Sequence, residues 1–133
     1  MAAKTERECA AQVATLQVRL ADAQRSGVEL QRYLGEYQSM FLQRASAGIG
    51  VGGMRDYQTF IARLSEGVRQ QQVATEQLQV DCARARARWV DAAARKSAVG
   101  KLIANAHADD QKMEDRRNQN ETDEFAQRQG GAR

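Results

Sequence analysis

Few side chains in this sequence have the types and spacing that catalysis requires. The only histidine, His107, is followed by Asp109 and Asp110, which together could supply a general base or metal ligands. No serine or cysteine can be placed with His107 as an activated nucleophile, and a zinc site would need further ligands. A lone histidine on a polar helix is most often a solvated side chain. The sequence therefore predicts no enzyme activity, no metal site and no cofactor.

Four glycines within six residues, Gly48, Gly50, Gly52 and Gly53, superficially resemble a phosphate-binding loop. The G-K-[ST] ending of such a loop is missing, and no predicted strand precedes the glycines. Continuing a helix through them would cost roughly 1 kcal/mol per glycine relative to alanine. We therefore interpret this segment as a turn at which the chain folds back.

The elements on either side of the turn are marked by residues that recur every three or four positions, a row that we call the seam. Before the turn the seam comprises Cys9, Val13, Leu16, Leu20, Ala23, Gly27, Leu30, Leu34, Tyr37 and Phe41. After Met54 it comprises Tyr57, Ile61, Leu64, Val68, Gln71, Thr75, Leu78, Cys82, Ala85, Trp89, Ala92, Lys96, Val99, Ile103 and Ala106. This spacing is typical of a coiled coil. It predicts an all-α fold of two long helices in an antiparallel coiled-coil hairpin, with the second helix longer and overhanging at its C-terminal end.

The expected boundaries follow from the same pattern. We predict a single coiled-coil domain over residues 1–133, with helix 1 at about 6–44, a glycine-rich loop at about 45–53, helix 2 at about 54–127 and a flexible tail at 128–133. Thr5 to Glu8 reads T-x-x-E, a capping box that places the start of helix 1 near Glu6.

The two seams align if the numbers of facing residues add up to 98, so that Phe41 faces Tyr57 and Cys9 faces Trp89. A sum of 91 would bring Gly50 opposite Phe41, within the helical seam. A sum of 105 is compatible with a lopsided loop, so we take 98 as the working register.

The 98 register has two consequences along the seam. In the middle of the seam, Gly27 faces Gln71 and Ala23 faces Thr75. This part of the seam therefore has polar or very small residues where large apolar side chains would be expected. The two cysteines lie one heptad apart, roughly 10 Å along the axis, which is too far for a disulfide. We expect both thiols to be reduced.

The flanks of the seam differ from each other. The glutamine flank is neutral and consists of Gln17, Gln24, Gln31 and Gln38 on helix 1 with Gln58, Ser65, Gln72 and Gln79 on helix 2. The opposite flank carries Tyr33, Met40 and Phe60, which we call the apolar strip, beside the small residues Ser26 and Gly67. A two-helix hairpin has no third layer to cover this strip, and uncovered apolar surface usually marks a docking site. Alternatively, these side chains fold over the seam and widen it.

Charge and hydropathy argue against a nucleic-acid-binding, a secreted or a membrane-spanning protein. Net charge is +3, and the basic excess is concentrated at Arg84, Arg86, Arg88, Arg95, Lys96 and Lys101. Aromatic residues among them are limited to Trp89, so a solvated helix or an acidic protein partner is favoured over nucleic acid. No stretch resembles a signal peptide or a membrane span, so we expect a cytoplasmic protein without direct membrane insertion.

A succession of short motifs on this predicted hairpin resembles the flagellar export protein family FliJ. The motifs are Tyr33-Leu-Gly-Glu-Tyr37, the glycine-rich bend, Tyr57-Gln-Thr-Phe60-Ile61-x-x-Leu64, Gln70-Gln-Gln, Trp89 and Asp123-Glu124-Phe125-Ala126. The resemblance implies a non-enzymatic, stalk-like component of flagellar type III protein export, similar to the central stalk of rotary ATPases. It implies a cytoplasmic location, peripheral to the inner membrane at the flagellar base.

The resemblance also implies partners and the residues that contact them. The terminal end of the hairpin would enter the hole of the hexameric flagellar export ATPase, using Trp89, Asp123, Glu124, Phe125 and Ala126. The loop-proximal part would contact the cytoplasmic domain of the export gate membrane protein through Leu30, Tyr33, Tyr37, Phe60 and Leu64. Export chaperones would be further partners. Gly67 and Gln71 depart from the family's usual residues, and helix 1 begins later than is common in the family.

Two alternatives share the same hairpin. One is the equivalent stalk protein of a virulence type III secretion system, which neighbouring genes would distinguish from a flagellar protein. The other is a homodimeric coiled-coil scaffold or a nucleic-acid-associated scaffold. The first would show a concentration-dependent dimer by light scattering, and the second would show salt-sensitive DNA binding in gel shifts.

Overall fold

The computed structural model describes residues 1–131, and all of its regular structure is helical. Helix α1 spans Ala2–Ala47 and helix α2 spans Val51–Gly131. The two helices pack against each other without any strand in the described part of the chain, which confirms the predicted all-α hairpin. Helix α2 has 81 residues and α1 has 46, so the predicted difference in length is also observed.

The chain divides into two compact units. Arg7–Val90 forms one, which contains the turn and most of the seam. Met1–Glu6 forms the other with the residues from Asp91 onward. A single coiled-coil domain over 1–133 stays a prediction.

Burial within Arg7–Val90 follows the predicted seam. Every seam residue from Cys9 to Phe41 and from Tyr57 to Trp89 is buried or half-buried, with Val13, Val68 and Ala85 the most enclosed. The rings of Phe41 and Tyr57 lie 5.9 Å apart between centroids. A Cβ atom placed on Gly27 would lie 3.8 Å from Cγ of Gln71. Both contacts confirm the 98 register.

The turn is shorter than the predicted loop of 45–53 and comprises three residues, 48–50. Gly48 has a φ of 86°, in the left-handed region that favours glycine, and its N–H donates to the carbonyl of Ala45 at 3.3 Å. Gly50 accepts the first helical hydrogen bond of α2 from the N–H of Met54 at 3.0 Å. The remaining glycines, Gly52 and Gly53, fit within the first turn of α2. Only one glycine therefore needs its unusual conformation.

Both helices also extend beyond their predicted ends. Helix α1 begins at Ala2, and the Thr5 hydroxyl donates to the carbonyl of Met1 at 3.1 Å. Thr5 is therefore inside the first turns rather than at the N-cap, and the predicted start near Glu6 was wrong. Helix α2 continues through residues 128–131 of the predicted tail, whereas 132–133 lie outside the described residues.

In the second unit, contact with α1 ends early along α2. Ala92 is buried and Ala93 half-buried, but every residue from Ala94 to Gly131 is exposed. The seam positions Lys96, Val99 and Ile103 are therefore open to solvent. One ion pair, at 3.7 Å between Lys96 Nζ and a Glu6 carboxylate oxygen, joins α2 to the start of α1. The exposed overhang predicted for helix 2 is confirmed.

Candidate functional site

The apolar strip lies on the turn-proximal half of the Arg7–Val90 unit and is open to solvent. The side chains of Tyr33, Met40 and Phe60 are 46%, 40% and 45% exposed. Gly67, on α2, adds no side chain beside them and has open space above its Cα. The strip therefore presents two aromatic rings and a flexible thioether on a surface without a covering layer.

Phe60 is held in place by a residue of the seam. Its ring lies 4.5 Å from that of Tyr37 between centroids, tilted by 44°. Tilted aromatic pairs of this kind contribute about 0.5–1.5 kcal/mol beyond the area that they bury. Phe60 thus covers part of the seam with one side and leaves the rest of its ring to solvent. Phe60 therefore widens the seam, and docking through its exposed side stays a prediction.

Tyr33 is oriented by its own helix. The guanidinium carbon of Arg32 lies 5.5 Å from the centre of the Tyr33 ring. Arg32 is also within 3.8 Å of Glu36, measured from Nε to Oε1. A cation above an exposed ring contributes about 0.5–1 kcal/mol. These contacts limit the movement of the Tyr33 ring while leaving nearly half of it exposed.

The five residues expected to face the export gate fall into two groups. Tyr33 and Phe60 project from the flank, whereas Leu30, Tyr37 and Leu64 are half-buried in the seam. All five lie within the Arg7–Val90 unit. Tyr33 and Phe60 are therefore the most exposed of the five residues.

The residues expected to contact the ATPase ring fall in different units. Trp89 is half-buried in Arg7–Val90. Asp123, Glu124, Phe125 and Ala126 are exposed on α2 in the other unit, with Asp123 accepting a 3.4 Å hydrogen bond from the side-chain amide of Gln119. In the 123–126 segment, Phe125 is the one large apolar side chain, and it is largely exposed.

A groove on the other side of the turn-proximal seam did not emerge from the sequence motifs. It has a volume of about 480 Å³ and lies between Gln38 and Gln58 of the glutamine flank. Its apolar lining includes Leu42 and Ala62. Leu42 lies seven residues from Gly35 and fourteen from Val28, a second row with heptad spacing that could have indicated this surface.

The ionisable groups of the described residues are mostly exposed side chains on the two helices. Within residues 1–131, no group of three or more histidine, cysteine, aspartate or glutamate side chains could hold a metal ion. His107 is exposed, and Cys9 and Cys82 are half-buried free thiols. Hydrogen bonds from Arg69 lower the pKa of the exposed Glu66 carboxyl, and the same contact raises the pKa of Arg69. This surface pair lies one helical turn apart on α2 and is unconnected with the apolar strip.

The whole chain is similar to one known protein family. The family model described as flagellar FliJ protein matches residues 1–133, the whole length of the chain. The chain belongs to the FliJ family. No curated protein and no solved structure gives a significant match. As a FliJ-family protein, it is a component of flagellar type III protein export.

Membership confirms the resemblance stated from the motifs between residues 30 and 128. It favours a flagellar protein over the virulence stalk and over an unrelated scaffold. Neither helix of this FliJ-family protein, over its described residues, combines the length and apolar character that a bilayer span requires.

Proposed function

We propose that this protein is a stalk-like adaptor that contacts the export gate through the apolar strip and the hexameric export ATPase through its terminal end. The observation that carries the proposal is the exposed pair Tyr33 and Phe60 on a chain of the FliJ family. Aromatic side chains that are rigid and only partly buried are typical anchors of protein interfaces. The adaptor would act in the cytoplasm, peripheral to the inner membrane at the flagellar base.

The gate contact would use the two projecting rings as its anchors. Phe60 rests on Tyr37, and Tyr33 is steadied by Arg32, so neither ring needs to be ordered when a partner binds. Less conformational entropy is lost when anchors are already in place. Leu30 and Leu64 would support this surface from the seam beneath it.

The ATPase contact would use the exposed part of α2, with Phe125 as its apolar anchor between Asp123 and Ala126. A long helix without a covering partner suits insertion into a ring, because all of its sides can be contacted at once. The acidic pair Asp123 and Glu124 would favour basic side chains inside the ring. Export chaperones are further proposed partners, supported by family membership alone.

The gate contact is tested with the double variant Tyr33→Ala/Phe60→Ala. Its affinity for the purified cytoplasmic domain of the gate protein is measured by isothermal titration calorimetry, and motility is scored in cells. We expect the dissociation constant to rise at least about tenfold. Unchanged affinity and motility would refute the assignment.

A matched control for the gate experiment is Val18→Ala/Val73→Ala. These valines are exposed on the two helices of the same unit, away from the apolar strip. The control should bind the gate domain as the parent chain does. Circular dichroism of both double variants shows whether the hairpin has kept its helix content.

Tyr33→Ala alone separates docking from packing, since Tyr33, unlike Phe60, makes no ring contact with the seam.

The ATPase contact is tested with Phe125→Ala, using Met113→Ala as control. Both side chains are exposed on α2 in the same unit and to a similar degree. We expect Phe125→Ala to reduce the stimulation of ATPase rate and ring assembly by this protein, and Met113→Ala to have little effect. Equal behaviour of the two variants would count against the 123–126 segment.

A further inference from the structure

The hairpin of the Arg7–Val90 unit contains two successive layers without a large apolar side chain, where a layer is a pair of seam residues that face each other. Gly27 faces Gln71, and Ala23 faces Thr75, and we call these two pairs the polar layers. The layers on either side are apolar and consist of Leu30 with Val68 and of Leu20 with Leu78. These apolar layers are ten residues apart on α1, about 15 Å at 1.5 Å per residue. Between them, the helices lack the interlocking apolar side chains that hold a coiled coil together.

The polar layers are joined by a hydrogen bond instead of by apolar packing. The side-chain amide of Gln71 donates to the backbone carbonyl of Ala23, with 3.0 Å between Nε2 and O. A groove of about 520 Å³ on the glutamine flank reaches Gly27, Gln71 and Thr75. Water that enters through this groove can take over the hydrogen bond when the helices separate, so opening leaves no buried group unpaired. Opening a layer of two leucines would instead expose apolar surface to water.

Both helices also carry features that favour bending at this level. Helix α1 has the pair Ser26 and Gly27 in its interior, and serine–glycine pairs are among the few causes of sharp kinks in helices. On α2, the hydroxyl of Thr75 donates to the carbonyl of Gln71 at 2.9 Å. Such a bond from threonine to the carbonyl four residues earlier slightly weakens a helix and often bends it. The two features lie at the same level of the seam, so bending of one helix is not resisted by a rigid segment of the other.

We infer that the polar layers are a hinge, at which both helices bend together and separate locally while the apolar layers on both sides stay closed. The segment between the hinge and the turn carries the apolar strip, so bending changes the direction of the strip without unfolding the surface that holds it. Hinge motions of this kind occur in microseconds to milliseconds. The hinge is a property of the free chain and does not depend on the partners proposed above.

Hydrogen exchange of the full chain, followed for each backbone amide by NMR, tests the local separation. Amides of residues 23–29 should exchange at least about tenfold faster, relative to their rates in an unfolded chain, than amides of residues 13–19 and 34–40. The variant Gly27→Leu/Gln71→Leu fills one polar layer with two leucines and should abolish this difference. Equal protection of the three segments in the parent chain, or an unchanged difference in the filled variant, would overturn the inference.

The matched control for the filled variant is Gln24→Leu/Gln72→Leu. Both glutamines are exposed on the flank at the same level, so leucines there add apolar side chains without filling a polar layer. The control should keep the fast exchange of residues 23–29. Loss of the fast exchange to the same extent in both variants would assign the effect to added apolar surface, and the hinge would be refuted.

Spin-label distances test the separation without filling the seam. In a chain whose two native cysteines are replaced by alanine, one pair of labels is attached through Gln24→Cys and Gln72→Cys, beside the polar layers. The second pair, Gln38→Cys and Gln58→Cys, occupies the same flank near the turn. Double electron–electron resonance should give a broader distance distribution for the first pair than for the second. Equally narrow distributions would contradict the hinge. Because neither measurement includes the gate domain or the ATPase, its outcome is independent of the proposed contacts.

Discussion

The side-chain amide of Gln71 donates a hydrogen bond across the hairpin to the backbone carbonyl of Ala23, with 3.0 Å between Nε2 and O. Gly27 faces Gln71, and a Cβ atom at position 27 would lie 3.8 Å from Cγ of Gln71. The hydroxyl of Thr75 donates to the carbonyl of Gln71 at 2.9 Å. The middle of the seam is thus polar but satisfied. A single polar residue in a coiled-coil seam favours one register at a cost in stability.

We predict that Gln71→Leu raises the free energy of unfolding by about 1 kcal/mol. The carbonyl of Ala23 keeps its hydrogen bond within α1, so removing the amide leaves no buried acceptor unpaired, and leucine adds apolar contact beside Gly27. Urea unfolding followed by circular dichroism measures the difference. Gln72→Leu, one residue along and exposed, should change stability by less than about 0.5 kcal/mol. A destabilised Gln71→Leu hairpin would mean that the amide contributes more than a well-packed leucine.

Substitution by alanine should have opposite effects on the stability of the hairpin at Gly27 and at Gly48. At Gly27 the new Cβ would lie 3.8 Å from Gln71, an ordinary contact, so Gly27→Ala should stabilise the hairpin by about 1 kcal/mol through helix propensity. Gly48→Ala should destabilise it by about 1 kcal/mol or more, since φ at Gly48 is 86°. Thermal unfolding of the two variants checks this. The prediction fails if both variants shift the midpoint in the same direction.

The contact between Phe41 and Tyr57 closes the seam next to the turn. Tyr57→Ala removes one of two rings that lie 5.9 Å apart and should cost about 2 kcal/mol, less than for a fully buried ring because Tyr57 is half-buried. Met40→Ala, in the same region but exposed, should cost under about 1 kcal/mol. Denaturant midpoints of the two variants should differ clearly. Equal midpoints would show that this layer contributes little to the fold.

Much of the fold could be predicted because heptad periodicity and a glycine cluster act locally along the chain. The spacing from Cys9 to Phe41 defined the seam, and the position of Gly50 argued against the sum of 91. A sum of 105 stayed open, and the contact between Phe41 and Tyr57 decided in favour of 98. Helix ends were less predictable. At Thr5, alanine-rich helix propensity on both sides outweighed the capping box, and α1 began at Ala2.

The candidate site could be predicted only as a set of residues on one flank. That Tyr33 and Phe60 leave the seam follows from their heptad positions. The packing of Phe60 against Tyr37 depends on side-chain rotamers. The position of the Arg32 guanidinium over the Tyr33 ring depends on which of several neighbouring side chains on the helix Arg32 contacts. Sequence spacing does not determine either one. The Gln71 hydrogen bond was missed because a glutamine opposite a glycine indicated only weak packing.

The ion pair between Lys96 and Glu6 should contribute modestly to the unit formed by Met1–Glu6 and the residues from Asp91 onward. The Glu6 side chain is only 16% exposed and that of Lys96 is 52% exposed, with 3.7 Å between nitrogen and oxygen. Removing the cation with Lys96→Gln should therefore lower stability by at most about 1 kcal/mol at low salt, and by less at about 1 M salt because exposed charges are screened. Hydrogen exchange at the first residues of α1 measures this local effect. Lys101→Gln removes the same charge from an exposed position and should leave exchange at α1 unchanged. If the two variants behave alike, the effect belongs to net charge and not to the pair.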